Sequence, residues 1–345
     1  MLEENIQRLI RRDPQLDSAV QYTQRVLTDL VHSKELKHWI VTYSGGKDST
    51  LVTILALEML HKLAPQGVKM EVVYSDTLLE IPALQENAIT FLKQVDETAQ
   101  KRELPVSVHS VAPPLQDRFW VLLIGKGYPS PKRYFRWCTE RLKIKPVEAI
   151  MARLDKPMAV LTGMRLGESD ARNARMKATC SRDGECGHDL WLNRKADGVY
   201  YLAPIVHWTT CRVWDFLTLF APLLGWKTDE LVNLYSGDSV RFGCWTCTLI
   251  EEDRALEAVM QIPRWSHLGP LNELRRFLDE GREPDNRQMR DDGKPGKMKI
   301  EFRRVLLNEV LKVQDKVGLD LISEEEILSI HELWEKEGNK VHGQS

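Results

Sequence analysis

The chain has 345 residues, of which 43% are hydrophobic and 28% are charged, and its formal net charge is −2 at pH 7. This length suits one large α/β domain with a helical appendage, and the near-neutral charge excludes a chain-wide attraction to nucleic acid, which would then depend on local patches or partner subunits. No apolar run approaches a membrane span and the N-terminus lacks a signal-peptide pattern, so we expect a cytoplasmic protein without membrane contact. In a reducing compartment its six cysteines would serve metal or redox chemistry rather than disulfides.

The first predicted elements are a helix over residues 14–33 and a strand over residues 39–43, which ends in a glycine turn before a second helical pattern. The turn reads Ser-Gly-Gly-Lys-Asp-Ser. Its glycines let backbone N–H groups approach an anion closely, and the start of the next helix adds partial positive charge. This pattern predicts a phosphate cradle, with an ordinary glycine turn as the alternative. The predicted binding residues are Ser44, Gly45, Gly46, Lys47, Asp48 and Ser49.

Strand and helix patterns then alternate along the chain. Strands are predicted over residues 69–77, 106–111, 158–162 and 199–208, and a helix through residues 84–95. This alternation predicts an α/β fold with a doubly wound, mostly parallel sheet. Since ligands of such sheets bind outside the carboxyl ends of the strands, Asp76 is expected to reach ribose or magnesium beside the glycine turn, unless it caps a helix. His109 is expected to be a sheet residue with a satisfied side chain.

Two later segments carry basic residues. Residues 132–146 combine six basic residues, three aromatic residues and a cysteine. This mixture suits a nucleotide or a single-stranded backbone, with a solvated basic helix as the alternative. Residues 163–172 follow a strand and begin with a glycine. Here Arg165 and Arg172 are predicted to clamp phosphate oxygens with bidentate geometry, with Glu168 orienting one of them.

The tail from about residue 252 predicts a helical C-terminal extension, whose last helices span residues 302–317 and 323–338. A polar stretch over residues 281–296 interrupts it and is predicted to be a solvated loop. Its basic residues are the alternative candidates for a DNA contact. They are Arg287, Arg290, Lys294 and Lys297.

Five cysteines are candidate thiolate ligands, and the sixth, Cys211, is expected to be a small buried residue at a helix start. One Cys-x-x-Cys pair by itself is compatible with a redox pair, half a zinc site or half an iron–sulfur site. The five candidates are Cys138, Cys180, Cys186, Cys244 and Cys247.

Over residues 38–250 these motifs resemble, in the same order, those of the PP-loop ATP pyrophosphatases and especially the PAPS reductases. The matching elements are the loop 44–49, Asp76-Thr77 before Pro82, the cysteine and proline of 136–146, the segment 163–172, and Pro204-Ile205 before Trp208. The segments Arg136-Trp137-Cys138-Thr139 and 241–248 more closely resemble DNA phosphorothioation sulfurtransferases of the DndC and SspD type. The resemblance implies an adenine nucleotide α-hydrolase-like (PP-loop) domain over residues 38–250, between a helical segment 1–37 and a helical region 251–345.

The resemblance also implies an activity. ATP with Mg²⁺ would be cut between its α and β phosphates, a DNA backbone phosphate would be adenylated, and sulfur from a cysteine desulfurase would be inserted, within a phosphorothioation complex that serves phage defence. Gly163 would help to bind the nucleotide. The catalytic residues would be Lys47, Asp48, Arg165 and Arg172.

A [4Fe–4S] cluster would be held by Cys138, Cys244, Cys247 and a fourth thiolate, Cys186 or else Cys180, because residues 233–237 lack the upstream cysteine of the longer proteins. Structural zinc is the alternative. The alternative functions are a PAPS or APS reductase, whose C-terminal redox motif is missing here, a tRNA thiolase, and a non-catalytic nucleotide-binding subunit of a DNA modification complex.

Overall fold

The computed structural model describes residues 4–33, 35–166, 192–194, 198–235 and 242–342. The chain forms two compact units, each assembled from separate segments. The first comprises Met1–Ser75, Leu84–Ser110 and Ile150–Ser236, and the second comprises Asp76–Ala83, Val111–Ala149 and Gly237–Ser345. The expected domain boundaries at residues 37 and 250 stay predictions.

The first unit is built on a central sheet. Its strands are β1 (His38–Tyr43), β2 (Lys69–Ser75), β3 (Val106–Val111), β4 (Met158–Leu161), β5 (Leu192–Arg194) and β6 (Val199–Leu202). They lie in the order β3-β2-β1-β4-β6-β5. Strand β1 pairs in parallel with β2 and β4, and β4 pairs in parallel with β6, whereas β5 is antiparallel to β6. The mostly parallel α/β sheet expected from the sequence is therefore confirmed.

Helices connect the strands of the first unit, and further helices belong to the second unit. In the described residues the α-helices are α1 (Glu4–Ile10), α2 (Pro14–His32), α3 (Lys47–Leu63), α4 (Pro82–Lys101), α5 (Lys145–Met151), α6 (Thr210–Asp215), α7 (Asp229–Leu234), α8 (Arg254–Met260), α9 (Gly269–Glu280), α10 (Ile300–Val317) and α11 (Glu324–His342). The sequence explains where α2 starts, because Asp13 caps it by accepting the backbone N–H groups of Gln15 and Leu16. Consecutive residues of β1, from Trp39 to Val41, are fully buried, as in a strand covered on both faces. No described helix is both long and apolar enough to cross a membrane.

The second unit contains the helical C-terminal region. Helices α10 and α11 confirm the two helices expected there, and α11 begins with a capping box in which Ser323 and Glu326 each accept the other's backbone N–H. The polar stretch 281–296 was expected to be a loop, and this is wrong. It contains β7 (Arg287–Met289), which pairs in antiparallel fashion with β8 (Pro295–Met298) around a turn in which Gly293 has φ +72°. Strands this short leave too weak an alternation to be seen in the sequence.

The order of the strands determines where a ligand fits. From β1 the chain proceeds outward to β2 and β3 on one side, whereas β4 and β6 lie on the other side. Ligands of such sheets bind outside the carboxyl ends of the strands at this reversal. The segment after β1 is the glycine turn, and the segment after β4 is 162–166, so both face the same crevice. Strand β6 stops at Leu202, short of the expected residue 208, because Pro204 cannot continue a strand ladder.

Candidate functional site

The glycine turn leads directly from β1 into α3. Gly45 has φ +76°, a left-handed conformation that other residues adopt only under strain, and a Cβ there would lie 3.0 Å from the Cβ of Ala88. Gly46 is the N-cap of α3 and offers no side chain to cap it. The N-cap of this 17-residue helix therefore leaves N–H groups of the first turn open at the edge of the crevice, an arrangement that favours an anion.

Two serines close the turn. The Ser49 hydroxyl donates to the Gly46 carbonyl at 2.9 Å, accepts the Ser44 backbone N–H at 3.2 Å, and lies 3.2 Å from the Ser44 hydroxyl oxygen. Ser49 is buried, with 5% of its surface exposed. Its hydroxyl thus holds the shape of the cradle, and a direct contact of Ser49 with phosphate stays a prediction.

Arg165, Asp48 and Lys47 form a chain of charges behind the turn. The Arg165 Nε donates to Asp48 Oδ1 at 2.6 Å, and the Lys47 ammonium donates to Asp48 Oδ2 at 3.0 Å. The remaining Arg165 nitrogens donate to the Trp208 carbonyl at 3.1 Å and to Thr210 Oγ1 at 3.3 Å. Arg165 is 4% exposed. Each of its three nitrogens therefore has a protein acceptor, and the guanidinium positions Asp48 and, through Asp48, Lys47.

Gly163 brings the segment after β4 against the start of α3. A Cβ at this position would lie 2.9 Å from the backbone nitrogen of Ser49 and 3.0 Å from the carbonyl carbon of Asp48. Such a distance to backbone atoms is too short for any larger residue. Gly163 thus makes the close approach that the Arg165–Asp48 contact requires. Arg172 and Glu168 lie outside the described residues, so their expected roles stay predictions.

Tyr235, at the end of α7, is a member of this site that sequence reasoning missed. The Lys47 backbone N–H donates to its hydroxyl, and burial raises the pKa of Tyr235, so the phenol is neutral. The Lys47 ammonium lies 5.4 Å from the centroid of the same ring, whose edge-to-face partner is Trp214. No local signal marks this tyrosine, since its partner lies far away in the chain. Its hydroxyl occupies one of the N–H groups that the anion would use.

Replacing Tyr235 by Phe is expected to strengthen nucleotide binding. The hydroxyl competes with phosphate for the Lys47 N–H, and a net hydrogen bond contributes about 1 kcal/mol, so the Kd should fall about fivefold. Titration calorimetry with a non-hydrolysable ATP analogue measures this change. Tyr200→Phe, on β6, is the matched control and should bind as the parent does. Weaker binding by Tyr235→Phe would instead show that the hydroxyl contacts the nucleotide.

A second group of reactive side chains lies in the second unit. Cys138 precedes a π-helical turn over Thr139–Ile144, and Cys244 and Cys247 share a tight turn in which the Cys247 N–H donates to the Cys244 carbonyl at 3.0 Å. The Trp245 N–H donates to the Leu79 carbonyl at 3.1 Å, which ties this turn to a neighbouring segment. The three thiols are half-buried.

Lys143 is the charged residue that these thiols share. Burial raises the pKa of Cys244, and the Lys143 ammonium partly offsets this. Burial likewise raises the pKa of Cys138, and a charge on Cys247 adds to the shift. In turn, the Cys244 thiolate is the largest cause of the raised pKa of Lys143. Lys143 therefore interacts electrostatically with all three thiols and offsets part of the cost of ionising them.

These thiols fit the chemistry of an iron–sulfur cluster. No three His, Cys, Asp or Glu side chains among the described residues converge on a single ion position. A cluster does not require that convergence, because each thiolate binds a different iron. Cys138, Cys244 and Cys247 supply three suitable donors beside a compensating cation. Cys180 and Cys186 lie outside the described residues, so the fourth ligand stays a prediction.

Asp76, His109 and Cys211 also had expected roles or environments, and each lies in a different part of the structure. Asp76 belongs to the second unit, where its carboxylate accepts the Leu78 N–H at 2.9 Å in a turn rather than capping a helix; its contact with a nucleotide stays a prediction. His109 Nε2 lies 2.7 Å from Glu71 Oε2, as expected of a satisfied sheet histidine. Cys211 was expected to be buried, and this is wrong: it is exposed in the first turn of α6.

The chain is similar in sequence to a known protein family and to a curated protein. Residues 38–250 match the sequence model of the phosphoadenosine phosphosulfate reductase domain family. The uncharacterized protein MJ0066 of Methanocaldococcus jannaschii is 24% identical over 234 residues, which are 68% of this chain and 41% of that protein. The chain thus spans about two fifths of the length of this curated relative.

Two solved structures are similar at low identity. The phosphoadenylyl-sulfate (PAPS) reductase of Candida auris has a TM-score of 0.39 and 16% identity, and the match covers 66% of this chain and 90% of that chain. The U34-tRNA thiolase NcsA of Methanococcus maripaludis, solved with its [4Fe-4S] cluster, has a TM-score of 0.38 and 13% identity, and the match covers 87% of this chain and 88% of that chain.

Proposed function

The chain belongs to the phosphoadenosine phosphosulfate reductase domain family, and on that premise we propose that it is an ATP pyrophosphatase that adenylates a DNA backbone phosphate and replaces one of its oxygens with sulfur. The observation that supports the first half best is the start of α3, whose N-cap Gly46 has no side chain and which lies at the reversal of strand order with Lys47 held by Asp48. The three thiols of the second unit, two of which share the Cys244–Cys247 turn, support the second half.

In the first step the phosphates of ATP bind the start of α3. A non-bridging oxygen of the DNA phosphate attacks the α-phosphorus, the bond from that phosphorus to the oxygen bridging to the β-phosphate breaks, and pyrophosphate leaves. Lys47 stabilises the negative charge that develops on the leaving group. Bound Mg²⁺ would neutralise further phosphate charge. The DNA phosphate is left joined to AMP, which is a better leaving group than oxide.

In the second step sulfur replaces that AMP. A cysteine desulfurase, together with further subunits of the complex, supplies the sulfur as a persulfide on the candidate cysteine, Cys180 or Cys186, that the cluster would leave free. Its terminal sulfur bonds to the DNA phosphorus while the bond to the AMP oxygen breaks and AMP leaves. A thiolate of a partner subunit then attacks the inner sulfur, so a disulfide forms and the phosphorothioate departs with the electron pair. Cys138, Cys244, Cys247 and the other of those two cysteines would hold a [4Fe–4S] cluster, which would supply iron sites with affinity for sulfide.

The test is product analysis with anaerobically purified protein. ATP, Mg²⁺, desulfurase and partner subunits are supplied with and without DNA, and AMP with pyrophosphate is the expected outcome. Lys47→Ala should lower this rate by about two to three orders of magnitude, as loss of a group stabilising transition-state charge does. Lys62→Ala, at the exposed far end of the same helix, is the matched control and should leave it unchanged.

Other reaction products would support other functions. ADP with inorganic phosphate would overturn the adenylation step. Nucleotide binding without any turnover would favour a non-catalytic subunit of a DNA modification complex. Sulfite release from an adenylyl sulfate, without ATP, would favour a reductase, for which the Cys244–Cys247 turn is the supporting feature because closely spaced cysteines suit redox exchange. Sulfur incorporated into tRNA instead of DNA would favour a thiolase.

A further inference from the structure

A short turn in the second unit presents basic and aromatic side chains ahead of Cys138. Lys132 and Phe135 exchange two backbone hydrogen bonds, of 3.2 and 2.8 Å, so that Arg133 and Tyr134 form the tip of the turn. We call residues 132–136 the basic–aromatic turn. The exchange of both bonds gives the tip a defined conformation. The turn is not the solvated basic helix that was the alternative expectation.

Hydrogen bonds from the body of the unit hold both ends of this turn. The Pro131 carbonyl accepts the Thr248 hydroxyl at 2.7 Å and also the Arg282 guanidinium. On the other side Trp137 is 7% exposed, stacks on Phe119 with ring centroids 5.4 Å apart, and donates to the Pro129 carbonyl at 2.9 Å. The surface is therefore preformed, and binding a partner costs the turn little conformational entropy.

The side chains between these anchors face solvent. All five residues of the basic–aromatic turn are exposed, and Tyr134 has 90% of its surface accessible. The Arg133 guanidinium carbon lies 5.8 Å from the centroid of the Tyr134 ring. The turn thus offers an aromatic face and three cations, from Lys132, Arg133 and Arg136. That combination matches the bases and phosphates of an unpaired strand, since stacking serves any base and cations serve the backbone.

We propose that the basic–aromatic turn binds a single strand of nucleic acid, with a base stacked on Tyr134 and phosphates paired with Arg133 and its neighbours. This inference deepens the proposed function, on which it rests for the identity of the strand as DNA. Thr248, which anchors the turn, directly follows Cys247, so the strand would be held by the same segment that carries the thiols. A duplex is a poorer partner because its bases are already stacked on one another.

Fluorescence anisotropy with a labelled, unstructured oligothymidine strand and the full chain, without ATP, tests the proposal. Tyr134→Ala should weaken binding about tenfold, the scale of losing one base–aromatic stack, whereas Tyr134→Phe should stay within about twofold. Arg133→Ala should lower the slope of log K against log salt concentration by about 0.7, the value for one phosphate contact on a single strand. Circular dichroism checks that each variant is folded.

Arg254→Ala provides the matched control, because Arg254 is an exposed arginine at the start of α8, outside the segments considered for a nucleic-acid contact. It should leave affinity and salt slope unchanged. The proposal is overturned when Tyr134→Ala binds as the parent does, when Tyr134→Phe binds as weakly as Tyr134→Ala, or when Arg254→Ala weakens binding more than Arg133→Ala. Tighter binding of an RNA strand of the same sequence would support this binding surface but would contradict DNA as its partner. Retained strand binding without AMP formation would contradict the proposed chemistry, not this surface.

Discussion

The Arg165→Ala protein is expected to lose about 3 kcal/mol of unfolding free energy and to form AMP about a hundredfold more slowly. The stability falls because Asp48 loses its 2.6 Å partner and the Trp208 carbonyl loses a donor in a buried position. The rate falls because Asp48 no longer holds Lys47 in place, and a displacement of about 1 Å in a positioned group costs a factor of this size. Denaturant unfolding and AMP release measure the two effects separately.

Further substitutions test whether Arg165 acts by positioning Asp48 or only by its positive charge. Arg165→Lys keeps the charge but presents one nitrogen where the guanidinium meets three acceptors, so activity should remain low while part of the stability returns. Arg102→Ala breaks a comparable pair of the same unit, 2.8 Å from Glu58, and should reduce stability without changing the rate. Full activity in a folded Arg165→Ala protein would show that the Asp48–Arg165 contact does not position Lys47.

Replacing Cys244 by Ser is expected to remove the bound iron completely while leaving AMP formation intact. The hydroxyl has nearly the size of the thiol but is a far weaker ligand for iron, and the thiols and the glycine turn are built from different residues. Iron content and visible absorbance of anaerobically prepared protein report the loss, and nucleotide products report what remains.

The matched control is Cys211→Ser, which alters an exposed cysteine of α6 and should retain iron. Cys138→Ser and Cys247→Ser should behave like Cys244→Ser. Equal iron contents in all four variants would contradict the ligand assignment. Stoichiometric zinc that is lost in the same three variants, without iron in the parent, would support the structural zinc alternative.

Local patterns predicted most of the fold. The apolar strands and the helices α2, α3, α10 and α11 appear where residue periodicity, glycine turns and capping residues indicate them, because those signals act over a few neighbouring residues. Strands of three or four residues were missed, as β7 and β8 show, because they repeat the alternation too few times. The extent of β6 depended on one proline.

The sequence by itself determined that a glycine turn joins a buried strand to a helix, that a Cys-x-x-Cys turn exists, and that the sheet is mostly parallel. Only the tertiary structure decided what the charged side chains do. The sequence predicted that Arg165 clamps phosphate, which stays a prediction, and the structure adds that its nitrogens contact Asp48 and other protein acceptors. Tyr235 carried no signal, yet its hydroxyl meets the Lys47 N–H. The physical reason is that spacing along the chain encodes local conformation, whereas the partner of a buried polar group is selected by packing among residues far apart in the sequence.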